Sequence, residues 1–95
     1  MAELHDILKQ QRETGRKMAA EVPKMLADPA IAPEQVGKLY RALEEQADFA
    51  EKLARVLEKR GYDPDTVLEA ERLEELYADL AASVADKVKA MQGAA

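Results

Sequence analysis

The groups in this chain that could do chemistry are few and widely spaced. His5 is the only histidine and stands beside Asp6 close to the chain start, where a helix end frays. A His-dependent triad or a metal site with two imidazoles is therefore excluded. There is no cysteine, so thiol nucleophiles, thiolate metal sites and disulfides are also excluded, and the redox compartment is left open. Helical di-metal bundles carry inward Glu-x-x-His pairs, and none is written here. No metal and no cofactor is expected.

Carboxylates are plentiful, as in Glu44, Glu45 and Asp48 or Glu71, Glu74 and Glu75. Most fall off the apolar stripe, where water screens them, and burial is what tunes a carboxylate for acid or base work. The four glycines are scattered, so no phosphate-cradling loop is formed. Met18, Met25 and Met91 stand at stripe positions and read as core filler. The one polar set that could hold an anionic small molecule is Gln11, Arg12 and Arg16, with Lys9 and Lys17 nearby. Glu13, four residues before Lys17, is placed to pair with it. Arg16 to Lys24, reading Arg-Lys-Met-Ala-Ala-Glu-Val-Pro-Lys, resembles part of the first helix of the small helical chorismate mutases. Such a resemblance implies spaced Arg/Lys side chains clamping an anion from inward positions. The stripe described below leaves those positions without them, and no family is assigned.

The elements that would position any site are three helices. With 95 residues the chain has room for one domain, residues 1–95, and one core. It is rich in Ala, Glu and Leu, poor in aromatics and without Trp or Asn, a helix-former's composition that argues against strands. Leu4, Gln11, Met18 and Met25 recur every seven residues with Leu8, Gly15 and Val22 as the partner row, predicting a helix over about 3–27. Pro23 removes a donor and crowds the preceding turn, so a kink or break is expected there. Gly15 on the stripe reads either as a close helix approach or as a weak spot. Asp28 to Pro33 is a connector because each proline biases the residue before it away from helix.

Pro33 suits a first helical position, with Glu34 and Gln35 at the positive end of the dipole. Val36, Leu43, Ala50 and Leu57 then carry the strongest seven-residue row, flanked by Leu39, Gln46 and Leu53 on one side and Tyr40, Ala47 and Ala54 on the other. That helix spans about 33–60 and closes on Lys59, Arg60 and Gly61. Asp63-Pro64 opens the third, about 64–92, with Ala70, Tyr77, Val84 and Met91 in row. The short link at Gly61–Pro64 folds helices two and three into an antiparallel hairpin. The expected fold is all-α, an antiparallel up-down-up three-helix bundle with long coiled-coil-like helices, a second copy pairing with it into a larger bundle.

Two surface features bear on function. Phe49 and Val56 on the second helix and Leu76 on the third lie outside the main stripe, as a homodimer interface would place them; a broad stripe serving two intramolecular neighbours is the competing reading. Gln11 and Gln46 on stripe positions would then set register or sit at a wet rim. The second feature is acidity. Asp63 to Asp79 holds seven acids against Arg72 alone, within a net charge of −5. Glu71, Glu75 and Asp79, four apart on the outer face, could meet a basic partner or be no more than a solvated face near a helix N-terminus. Direct nucleic-acid binding is not expected, since the basic footprint is small and aromatic side chains for stacking are scarce.

The start of the chain shows no apolar leader, and no stretch approaches a membrane span, so a cytoplasmic location is expected. The function expected is association: a non-enzymatic adaptor, assembly or regulatory protein of unknown partner, self-associating as a homodimer. The alternatives are a small helical enzyme or binding protein for an anionic small molecule held by Gln11, Arg12 and Arg16, and an acidic protein that occupies the nucleic-acid-binding surface of a basic partner.

Overall fold

The structure, a computed structural model, describes residues 3–93. The assignment of all 95 residues to one domain extends at its two ends beyond them. Three helices follow one another: α1 (Glu3–Ala27), α2 (Pro33–Lys59) and α3 (Pro64–Gly93). They form an all-α three-helix bundle, a rod of 51 × 18 × 18 Å. The predicted boundaries hold to within one residue.

The helix ends are built as the sequence indicates. Asp28 Oδ1 accepts the Ala30 N–H at 2.9 Å, a local turn that starts the connector. Ile31 folds back from it and is buried at the end of the core. Ala32 is extended (φ −78°, ψ 146°) ahead of Pro33. It has no side-chain acceptor of its own, but Gln35 Oε1 accepts its N–H at 3.0 Å, the return half of a capping box. At the other end of α2, the Tyr62 N–H donates to the Leu57 carbonyl at 3.0 Å and the Gly61 N–H to the Glu58 carbonyl at 3.1 Å. These two bonds make a Schellman closure. It requires a left-handed residue, and Gly61 supplies φ +78°. Two residues on, Asp63 Oδ1 accepts from the Thr66 N–H at 2.8 Å and from the Thr66 hydroxyl at 3.0 Å, capping α3.

The core rows are those written in the sequence. Val36, Leu43, Ala50 and Leu57 of α2 and Ala70, Tyr77 and Val84 of α3 are fully buried. On α1 the deepest row is Leu8, Gly15 and Val22; its companion row, Leu4, Gln11, Met18 and Met25, lies at the flank, and Met25, expected as core filler, is exposed. Pro23 does not end α1, which continues to Ala27. The carbonyl that its missing N–H leaves unpaired belongs to Ala19, an exposed residue, where water can satisfy it.

The three helices do not share contacts equally. α2 and α3 pack along their lengths, α1 leans chiefly on α3, and its contact with α2 is the sparsest. Gly15 explains the α1–α3 approach: a Cβ at this position would stand 3.0 Å from Leu73 Cδ2 and 3.2 Å from Leu76 Cδ2. The bundle is thus a hairpin with a third helix laid over one of its partners, and one side of α2 is left uncovered.

Candidate functional site

The uncovered side of α2 is apolar. Phe49 is 44 % exposed and Val56 38 %, seven residues apart on one row that Ala42, half-buried, continues toward the helix start. Beside them a shallow groove opens between α1 and α2, lined by Leu4, Ile7, Phe49, Lys52, Leu53 and Val56. The sparse α1–α2 contact creates it, because Leu4 and Ile7 reach the core edge without closing over Phe49. Leu76 stands elsewhere. It is half-buried against the core and in contact with Gly15, so the α1–α3 contact takes it up. Among the described residues, the large exposed apolar side chains away from this groove are Met25 and Leu68.

The acidic residues divide between two places. Glu71, Glu75 and Asp79 are all exposed on the outside of α3. Glu75 also lines a groove between α2 and α3, together with Glu74 and with Glu44, Asp48 and Glu51 across from them, over a floor of Ala47 and Ala78. Glu71 and Asp79 lie outside that groove. Sequence reasoning missed the joining of these two carboxylate sets. The signal was present in acids at 44, 48 and 51 flanking the Ala47–Ala54 row, but it becomes readable only once that flank is known to face α3. Two of the five groove acids are partly compensated along α2: Lys52 Nζ stands 2.9 Å from Asp48, and Arg55 pairs with Glu51. Asp48 accordingly holds the Lys52 ammonium protonated to higher pH than usual, first by hydrogen bonding and then by charge. At the groove's end the Glu44 carboxylate, by hydrogen bonding and then by charge, pushes the Tyr40 hydroxyl pKa up.

Gln11, Arg12 and Arg16 do not converge on a common point. The Gln11 carbonyl and Oε1 both face the Tyr77 hydroxyl, Arg12 directs its guanidinium to Glu69 of α3, and Arg16 is exposed. Gln46, the other polar stripe residue, has its Oε1 buried with no protein partner. The His5 ring packs at a tilt on Tyr62, centroids 5.2 Å apart, so it helps seat the start of α1 on the α2–α3 link. Among the described residues no group of three or more His, Asp or Glu is placed to hold a metal ion, and no helix is long and apolar enough to cross a membrane.

Comparison with protein families, with curated proteins and with solved structures finds no match for this chain.

Proposed function

We propose that this chain is a non-enzymatic helical interaction module, a small adaptor, assembly or regulatory protein, that associates with a second copy of itself through the uncovered side of α2. The observation that carries this reading is the pair Phe49 and Val56, both exposed and both bordering the Leu4–Ile7–Leu53 groove. Exposed apolar side chains scattered singly need no explanation, but aromatic and aliphatic anchors rimming one groove are the anatomy of an interface centre. Of the α1 residues that could hold an anion, Gln11 and Arg12 are engaged by α3 and Arg16 stands exposed away from them, so they give no competing centre. Light scattering coupled to size exclusion tests the reading: the expected mass is twice 10.5 kDa, and a monomer mass at about 100 µM would put any self-affinity outside the range of a working dimer.

A second reading is favoured by a separate observation. Five carboxylates and no basic residue line the α2–α3 groove, on the side that suits a basic partner segment, with the exposed Glu71 and Asp79 extending the negative field along α3. Small floor residues leave room for a helix to approach. Binding of a Lys-rich helical peptide that weakens steeply between low and physiological salt would support it; equal binding of an acidic peptide of the same length would refute it.

A further inference from the structure

Resting on the self-association proposed above, we infer that the second copy docks antiparallel, α2 against α2, about a two-fold axis passing beside Phe49, with Glu45 of each copy meeting Lys52 of the other.

The inference comes from the pattern around the exposed row. Ala42, Phe49 and Val56 are seven apart, and Glu45 and Lys52, also seven apart, stand between them. Both are exposed. Glu45 precedes Phe49 by four residues and Lys52 follows it by three, so the two project on the same flank of the row. A two-fold axis perpendicular to both helices keeps that flank common to the two copies while reversing their direction. Centred on Phe49, it sets Ala42 opposite Val56 of the second copy, a small residue against a larger one. It also brings each Glu45 within about one residue's rise, ~1.5 Å along the axis, of the other copy's Lys52. Two reciprocal opposite-charge contacts result.

A parallel pairing of the same rows does the opposite. It sets Glu45 against Glu45 and Lys52 against Lys52, and like charges across an interface are what excludes wrong partners. The available groups fit the antiparallel arrangement. Glu45 has no ion-pair partner among the described residues, while Lys52 is held by Asp48 on its own helix and lines the apolar groove at the same time. The stem of Lys52 can stay on the groove while its ammonium turns toward the incoming carboxylate. At the far ends Lys38 comes opposite Lys59 of the second copy, which confines the tight contact to the Ala42–Val56 span and lets the helices diverge beyond it.

The test is charge reversal read by sedimentation equilibrium on the full chain. Glu45→Lys and Lys52→Glu should each weaken self-association about tenfold, since two attractive exposed contacts become repulsive. The variant carrying both substitutions should return to within about threefold of the starting affinity, because each reversed pair is complementary again. A direct readout of orientation uses the absence of native cysteine: a mixture of Ala42→Cys and Val56→Cys chains should form the mixed disulfide dimer on oxidation, and Ala42→Cys alone should not. Circular dichroism confirms that these surface variants keep the helical fold. If the unmodified chain dimerises and Phe49→Glu abolishes the dimer, but both charge reversals leave affinity unchanged or Ala42→Cys links to itself, the antiparallel arrangement fails and self-association stands. If the unmodified chain is monomeric, both fail.

Discussion

The Tyr77 hydroxyl lies 3.0 Å from the Gln11 main-chain carbonyl and 3.2 Å from Gln11 Oε1, one proton shared between two acceptors. Tyr77 is the largest fully buried side chain of the bundle, and its polar tip would be costly there without a partner. Gln11, a polar residue on an apolar row, supplies that partner and thereby fixes the height of α1 along α3. Arg12 to Glu69 fixes the same register one residue later.

Tyr77→Phe should remove this hydrogen bond and leave packing intact, lowering stability by about 1 kcal/mol and the melting temperature by roughly 4–8 °C for a domain of this size. The same variant should change the alkaline limb. Burial raises the Tyr77 pKa above its ordinary 10.0, so the unfolded chain gives up the proton first as pH rises. Its contribution is present in full below pH 10.0 and is lost as pH climbs through the native value. Melting temperatures measured by circular dichroism from neutral to alkaline pH should therefore fall less steeply in Tyr77→Phe, with the half-buried Tyr40 leaving a residual slope of the same sign.

Gly15 separates two effects that oppose each other. Replacement by Ala gains about 1 kcal/mol of helix propensity but brings a methyl to 3.0 Å from the end of Leu73, so Gly15→Ala should be close to neutral. Gly15→Leu forces α1 off α3 and should cost about 1–3 kcal/mol. Urea unfolding reads both, and a stabilising Gly15→Leu would mean that α1 does not sit where the α1–α3 contact places it.

Asp63 caps α3, and its bonds from the Thr66 N–H and hydroxyl hold its pKa below the ordinary 3.8. A lowered carboxylate pKa stabilises the native state above pH 3.8, and the effect disappears as pH falls through the lower native value. Asp63→Asn keeps a good cap and removes the charge. The unmodified chain should melt higher than Asp63→Asn at neutral pH, and the gap should close in acid. A gap that widened in acid would contradict the cap.

Much of the fold was legible because its rows obey one spacing. The α2 and α3 rows, the Gly61 closure and the Asp63 cap each rest on local chemistry that the sequence states outright. On α1 the sequence writes two neighbouring rows as one stripe and does not rank them, because which goes deepest depends on where α3 lies, and Gly15 draws α3 toward the Leu8–Gly15–Val22 row. The same approach removes Leu76 from the outer surface. Phe49 and Val56 were readable as a flank, since they fall outside the main row in any register. The α2–α3 acidic groove was not, because Glu44, Asp48 and Glu51 become neighbours of Glu74 and Glu75 only through tertiary packing.

Self-association through the exposed α2 face is decided by sedimentation equilibrium of the unmodified chain beside Phe49→Glu, over about 1–100 µM. The unmodified chain should show a mass of twice 10.5 kDa and Phe49→Glu a folded monomer. A single monomeric mass for the unmodified chain across that range, or a dimer that Phe49→Glu leaves intact, would contradict association through this face.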